Sequence, residues 1–182
     1  QRQMCIRDRY YTEPIAVMDF ASLYPSIMQA DNLCYSSLVL PSRVGAVRKM
    51  LRAADAENVL KHHEVEGKPY AIVRAGTQRG VLPEILARIL AQRKKAKRAM
   101  KSAATEHERG LQNARQLALK VSANSVYGFT GVDFATGMLP CLPIASSVTA
   151  YGRELLFQTK KEVESRYTVE NGYKSDAVVV YG

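Results

Sequence analysis

The feature that most constrains the fold is a long stretch of helical periodicity in the middle of the chain. From Val81 onward, apolar residues recur at the spacing of one helix face: Leu82, Ile85, Leu86, Ile89 and Leu90. Pro83 falls in the first turn, where proline is tolerated. We predict that this helix extends to about His107 and that Gly110 separates it from the next helix.

A second helix is predicted from Leu111 onward. Its apolar face would consist of Ala114, Leu117, Ala118 and Val121. Two long helices joined by a short link fold back on each other. We therefore predict an antiparallel helical hairpin.

The flanking segments alternate between β and helical patterns. The predicted strands are Pro14–Asp19, Tyr70–Val73 and Tyr173–Tyr181. The predicted helices are Tyr24–Asn32, Val44–Leu60 and Pro143–Tyr167. Strands and helices that do not alternate regularly indicate an α+β fold.

The charge balance favours a polyanionic partner. The 182 residues include 26 Lys and Arg against 17 Asp and Glu, a net charge of +9. Such a balance favours nucleic acid first, although many basic proteins bind no polyanion. Cys5, Cys34 and Cys141 lie far apart, which argues against a zinc site or a disulfide framework. No apolar run approaches the ~20 residues of a membrane span, so no membrane partner is predicted.

Both ends of the chain are unusual. Residues 1–9 resemble the translation of a sequencing adapter and are set aside as non-native. Setting them aside removes three positive charges and one negative charge and leaves a net charge of +7. At the other end the predicted strand runs into a turn that is not completed before Gly182. The chain is therefore expected to be an open-ended piece of a longer gene.

The first candidate site is the segment DFASLYPSI, residues 19–27. Asp19 ends the predicted strand, and a tight turn with a hydroxyl group follows at Ser22. A carboxylate there can hold Mg²⁺, and the N–H groups of Ser22 and Leu23 can point at a phosphate. An isolated aspartate at a strand end more often has a capping role. Two-metal phosphoryl transfer also needs a second carboxylate that shares the two ions, which lie about 4 Å apart.

The second candidate site is the basic part of the first long helix. Its cations are Arg93, Lys94, Lys95, Lys97, Arg98 and Lys101. Arg93, Lys97 and Lys101 follow one another at four-residue intervals and share a face. A guanidinium fork and stacked ammonium groups could grip a triphosphate. The alternative is a charged face that contacts only solvent.

The third candidate site is the segment KVSANSVYG, residues 120–128. Lys120, Asn124 and Tyr127 lie on one helix face, and Gly128 would allow a nucleic-acid strand to pass close. A cation, an amide and an aromatic ring can contact phosphate, sugar and base together. The alternative is a helix end with a tyrosine in the core.

Taken together, the three sites resemble motifs of the family B DNA polymerases. Residues 19–27 resemble the first catalytic motif, DxxSLYPSI, and residues 120–128 resemble the second, KxxxNSxYG. Residues 179–182 (VVYG) resemble the approach to the third motif, YGDTDS. Within the family the chain resembles the delta type, through residues 32–35, 115–131 and 167–173. The resemblance covers residues 14–182.

The resemblance implies a role for each motif residue. Asp19 would bind two Mg²⁺ ions, with the Phe20 carbonyl on the nucleotide-side ion, and a second carboxylate is expected after Gly182. Ser22 and Leu23 would bind the triphosphate, and Tyr24 would exclude a ribose 2′-OH. The residues that would grip the phosphates are Arg93, Lys97 and Lys120, with Asn124 assisting. The residues that would line the new base pair are Tyr127 and Gly128.

The resemblance also implies an architecture and partners. Residues 10–78 and 129–182 would form an antiparallel palm sheet with packed helices, and residues 79–128 would form the fingers hairpin. The expected activity is template-directed addition of dNTPs to a primer 3′-OH, with this chain inactive by itself. Primer-template DNA, accessory replication subunits and a sliding clamp would be partners, in the nucleus if the host is eukaryotic.

Two alternatives follow from the same residues. Gln29, Asp31 and Pro143 depart from the usual delta-type residues, so a delta-like polymerase of a large DNA virus is one alternative, acting at the viral replication site. The other is a non-catalytic relic of the fold that only binds nucleic acid.

Overall fold

Helices and one small sheet make up the computed structural model, which describes residues 10–51, 53–65, 67–132, 135, 137 and 139–180. These residues fall into two compact units. The larger unit is Ser22–Ala150, and the smaller one combines the residues up to Ala21 with those from Tyr151 onward. The nine residues set aside as adapter-derived lie outside the described part. None of the helices in the described ranges has the length and apolarity that a membrane crossing requires.

An antiparallel sheet of three strands lies in the larger unit. The strands are β1 (Leu38–Val39), β2 (Leu60–Val65) and β3 (Lys68–Val73), in the order β1-β3-β2. The hairpin between β2 and β3 contains Gly67 at a φ of 71°, a conformation that glycine adopts without strain. The sheet and the helices together confirm the α+β class.

Two helices follow β1 where one was predicted. α2 (Pro41–Met50) and α3 (Ala53–Val59) replace the single helix expected over Val44–Leu60. Leu51 ends α2 in an extended conformation, with a ψ of 142°. The predicted helix is therefore wrong at Leu60, which begins β2 instead. Leu60 is buried beside Val44 and Ala71, so burial in the sheet outweighs local helical periodicity.

The remaining helices of the larger unit include those that carry most of the motif residues. They are α1 (Leu23–Ala30), α4 (Val81–Lys101), α5 (Glu106–Gly128) and the first part of α6 (Leu142–Arg166). Fully buried apolar side chains from these helices and the loop after α1 form its core: Met28, Leu33, Leu86, Ile144 and Val148. α6 matches the helix predicted at Pro143–Tyr167 to within one residue at each end.

α4 and α5 run antiparallel and pack against each other. Arg93 of α4 contacts Gln116 of α5. Further along α4, Ala99 lines a groove of about 300 Å³ together with Gln112, which precedes Gln116 on α5. α5 begins at Glu106 because Thr105 and Glu108 form a reciprocal capping box. The predicted extent of α4 to about His107 and the predicted break at Gly110 are both wrong, because α4 ends at Lys101 and both residues lie within α5. A glycine inside a helix costs only about 1 kcal/mol, which the cap and the packing on α4 offset.

The apolar face predicted for α5 is turned away from α4. Leu117 and Val121 are 47 % and 65 % exposed, and α5 instead buries Gln116, Ala123 and Val126. The buried Gln116 has polar partners in Arg93 and Asn113. Periodicity identifies an apolar face but does not show which neighbour covers it.

Two predicted strands are wrong over the described residues. Residues 14–20 form no strand, and Ile15, Val17 and Met18 are exposed. Residues 173–180 also lack a strand, while Tyr181 is outside the described part. An extended apolar segment becomes a strand only when another strand pairs with it, and the described residues of the smaller unit supply none.

In the smaller unit the chain after α6 turns back along the end of that helix. The Asn171 side chain donates to the Ser165 and Arg166 carbonyls at 3.0 and 3.1 Å, which caps the last turn. The rings of Tyr167 and Tyr173 then meet edge to face, with centroids 5.0 Å apart. These contacts give residues 167–173 a defined turn.

A buried amide connects α1, β3 and α4. Asn32 follows α1 and is only 1 % exposed. Its side-chain nitrogen donates to the Val73 and Gln78 carbonyls at 2.7 and 2.8 Å, and its oxygen accepts from the Gly80 N–H at 2.7 Å. Asn32 has a φ of 55°, which asparagine tolerates better than most residues. Three elements therefore converge on one side chain.

The first prediction concerns this amide. Asn32→Ala should lower the free energy of unfolding by about 3 kcal/mol, because buried backbone groups lose their partners. Urea unfolding followed by circular dichroism measures the change. Asn32→Gly keeps the positive φ and should recover only about 1 kcal/mol of that loss. Full recovery in the glycine variant would show that backbone conformation, and not the hydrogen bonds, determines stability here.

The second prediction compares two glycines. A Cβ at Gly80 would lie 2.6 Å from the Cβ of Cys34, so Gly80→Ala should destabilise the fold by about 1–3 kcal/mol. A Cβ at Gly110 in α5 would meet nothing within 4 Å, so Gly110→Ala should stabilise it by roughly 0.5–1 kcal/mol. Thermal unfolding midpoints should therefore move in opposite directions. Equal shifts would contradict the close approach at Gly80.

Candidate nucleotide-binding site

The turn before α1 has an unusual backbone at Ser22. Its φ and ψ are 56° and 50°, the left-handed region, and its carbonyl accepts from the Ser26 N–H at 2.9 Å. Its side chain makes no capping hydrogen bond to α1. The first N–H groups of a helix, here beginning with Leu23, have no partner within the helix. The turn therefore presents a hydroxyl and backbone donors of the kind that bind phosphate.

Arg93 of α4 reaches this turn. One terminal nitrogen of its guanidinium donates to Ser22 Oγ at 3.0 Å, across 71 residues of sequence. Its Nε donates to Gln116 Oε1 of α5 at 3.5 Å. Gln116 in turn donates through Nε2 to Asn113 Oδ1 at 3.0 Å. The guanidinium thus lies between the first motif and α5.

Tyr24 and Tyr127 bring the first and second motifs together. Their ring centroids are 4.5 Å apart, with an angle of 36° between the ring planes. Tyr24 is 39 % exposed, so part of its ring remains open to solvent. Burial, and secondarily the neighbouring Tyr24, raise the pKa of Tyr127 above its ordinary value. The Tyr127 hydroxyl therefore stays protonated at neutral pH.

The other motif residues of the hairpin point to solvent. Lys97 lies one turn after Arg93 on α4, and Lys120 lies one turn after Gln116 on α5; both are exposed. Asn124 is exposed one turn further, and Gly128 ends α5 with open space around it. Their roles in ligand binding stay predictions.

Asp19 and Phe20 belong to the smaller unit. Asp19 is exposed, and no described residue forms an ion pair with it. Carboxylate and carbonyl oxygens are suitable Mg²⁺ ligands. Across the described ranges, however, no group of three His, Cys, Asp or Glu residues is arranged to hold a metal. These residues therefore fit part of a magnesium site and supply fewer carboxylates than a two-ion site needs.

Sequence reasoning missed Gln116. It precedes Lys120 by one turn and lies on the same face as Asn124 and Tyr127, so helical spacing could have indicated it. Glutamine is a common helix residue and gives no chemical signal by itself. Only its contact with Arg93 distinguishes it.

Comparison with known proteins identifies the family. The model of the family described as "DNA polymerase family B" matches residues 5–182. The catalytic subunit of DNA polymerase delta from Drosophila melanogaster is 53 % identical over 175 residues, 95 % of this chain. The same subunit is 50 % identical over 173 residues, 95 % of the chain, in Schizosaccharomyces pombe, and 50 % identical over 176 residues, 97 % of the chain, in Arabidopsis thaliana.

The match involves only a part of each relative. The chain spans 15 % of the length of each of these three subunits. The family model, by contrast, covers almost the whole chain, and half of the aligned positions are identical. The chain therefore belongs to DNA polymerase family B.

Proposed function

We propose that this chain is the part of a replicative DNA-directed DNA polymerase that binds the incoming nucleotide and provides one metal-binding carboxylate. The observation that carries the proposal is the hydrogen bond from Arg93 to Ser22. It joins two residues that the motifs independently predict to bind phosphate. Family membership and the similarity to delta catalytic subunits support the same activity.

The phosphate-binding groups would act mainly through charge and position. Arg93 offers a planar fork of N–H donors, and Lys97 and Lys120 offer point charges for the triphosphate. Ser22 Oγ–H and the Leu23 N–H would donate to phosphate oxygens at the start of α1. Together these groups would hold the α-phosphate in line for attack by the primer 3′-OH and stabilise the charge that develops.

The two tyrosines would bind the nucleoside. Tyr24 would occupy the space that a ribose 2′-OH requires, while Tyr127 and Gly128 would lie against the new base pair. The contact between the two rings supports this assignment because it fixes the position of the Tyr24 ring. Asn124 would assist on the phosphate side.

Mg²⁺ is the expected cofactor. Asp19 and the Phe20 carbonyl would hold it, and the second carboxylate stays a sequence prediction. When bound, two such ions neutralise the triphosphate and stabilise the attacking and leaving oxygens. Under this proposal α4 and α5 are the fingers, the flanking segments are palm, and primer-template DNA and dNTPs are the ligands. Accessory subunits, a sliding clamp and nuclear localisation would follow from the similarity to the eukaryotic delta subunits.

The third prediction tests, in a chimeric polymerase, whether Lys97 binds the phosphates of the incoming nucleotide. The Drosophila subunit is a suitable host, with residues 10–182 of this chain replacing its matching segment. Lys97→Ala should lower kcat/KM for dNTP at least about tenfold, because a charge-assisted contact with phosphate is lost. Steady-state primer extension measures it.

Lys95 provides the control for this variant. It lies on the same helix, is exposed, and stands about 160° around the helix axis from both Arg93 and Lys97. Lys95→Ala should leave dNTP kinetics unchanged. If Lys97→Ala changed only duplex affinity and its salt dependence, the helix would contact the DNA backbone instead of the nucleotide.

The fourth prediction concerns sugar selection. Tyr24→Ala should lower the preference for dNTP over rNTP by at least about tenfold, because the bulk that excludes the 2′-OH is removed. Competitive incorporation on one template gives the ratio. Tyr24→Phe keeps the ring and should keep the preference. An unchanged ratio in the alanine variant would remove Tyr24 from sugar selection.

The fifth prediction concerns the carboxylate. In the chimeric polymerase, Asp19→Asn should reduce primer extension by at least about a thousandfold while dNTP-independent DNA binding persists, because a neutral amide is a poor Mg²⁺ ligand. The 182-residue chain by itself should give no extension. Retained turnover in Asp19→Asn would contradict the metal role, and extension by the chain alone would remove the need for a second carboxylate.

A further inference from the structure

A buried glutamine faces the guanidinium group of Arg93. Gln116 lies on the face of α5 that packs against α4 and is only 8 % exposed. Its carbonyl oxygen accepts from Arg93 Nε, and its amide nitrogen donates to Asn113 Oδ1. A buried side chain with both ends bonded has a defined orientation.

The guanidinium determines which end of the amide faces it. Arg93 Nε–H can only donate, so the Gln116 oxygen must face it, because the reverse orientation would place N–H groups against an N–H group. The amide nitrogen then donates to Asn113 Oδ1 at 3.0 Å. Asn113 therefore supports this orientation of Gln116, and Gln116 contacts the guanidinium.

The charge of this acceptor matters for Arg93. A carboxylate at position 116 would pair with the guanidinium and compete with a phosphate for it. A neutral amide accepts one hydrogen bond and leaves the full positive charge available. The Ser22 hydroxyl on the other side of the guanidinium is also a neutral acceptor. Within the described residues, these two contacts use two of the five N–H donors of the arginine.

We infer that Gln116 is a positioning residue for Arg93: it holds the guanidinium toward the nucleotide phosphates while leaving its charge unpaired. The inference rests on the proposed function, because it takes the triphosphate as the ligand of Arg93. It adds a requirement that the motifs do not state, namely that position 116 must be a neutral hydrogen-bond acceptor.

Two substitutions in the chimeric polymerase separate orientation from charge. Gln116→Met keeps a similar volume but removes the acceptor, so kcat should fall about tenfold with a smaller change in the KM for dNTP. Gln116→Glu keeps the acceptor and adds a negative charge, so the KM should rise about tenfold with a smaller change in kcat. Gln112→Glu, one turn earlier on α5, adds the same charge away from Arg93 and should leave both constants within about twofold.

The decisive measurement is a double-mutant cycle with Arg93→Ala. If Gln116 acts through Arg93, Gln116→Met should change kcat/KM by less than about twofold in the Arg93→Ala background. Effects that persist there at full size would overturn the inference and assign Gln116 a packing role. If Arg93→Ala itself leaves dNTP kinetics unchanged, the proposed function of Arg93 fails instead, so the two failures are distinguishable.

A measurement on the 182-residue chain keeps the inference testable if the chimeric variants fold poorly. The Arg93 Nε–H should give a resolved ¹⁵N–¹H signal with slowed hydrogen exchange, which Gln116→Met accelerates at least about tenfold and Gln112→Glu does not. Identical exchange in the wild type and in Gln116→Met would overturn the hydrogen bond on which the inference depends.

Discussion

The hydrogen bonds of a single buried amide hold together the elements on which the candidate site depends. Asn32 follows α1, and the backbone groups it binds precede α4. Ser22 and Tyr24 lie at the beginning of α1, and Arg93 lies on α4. Asn32 therefore ties the end of α1 to the start of α4, although it touches neither Ser22 nor Arg93. A local constraint away from the candidate site helps to position the groups that would bind the nucleotide.

The sequence predicted well what depends on local pattern. The α+β class, α1, α6 and the start of α4 follow from periodicity and the position of proline. The sequence predictions failed where residues far apart in the chain determine the local structure. Residues 14–19 have a β pattern but no described partner strand, and the pattern of α5 did not show that Gln116 would be buried and Val121 exposed. Pairing and packing are properties of two segments, and periodicity describes only one.

The candidate site shows the same division. The motifs indicate candidate residues for the chemistry, because a carboxylate, a guanidinium and a tyrosine each limit the possible roles. They could not predict the contact between Ser22 and Arg93 across 71 residues, nor the role of an ordinary glutamine beside it. The exposed Lys97 could be named from its spacing alone, because a cation on a helix face needs no neighbour to remain charged.

The hydrogen bond between Arg93 and Ser22 has a consequence for the proposed phosphate contacts. The Ser22 oxygen is the acceptor, so its O–H remains a donor, and the contacts with Ser22 and Gln116 use two of the five N–H donors of the arginine. Under the proposed function a phosphate would accept from Ser22 and from Arg93 together, without breaking the bond between them. The turn and the guanidinium would then be pre-organised, and little side-chain freedom would be lost when a nucleotide binds.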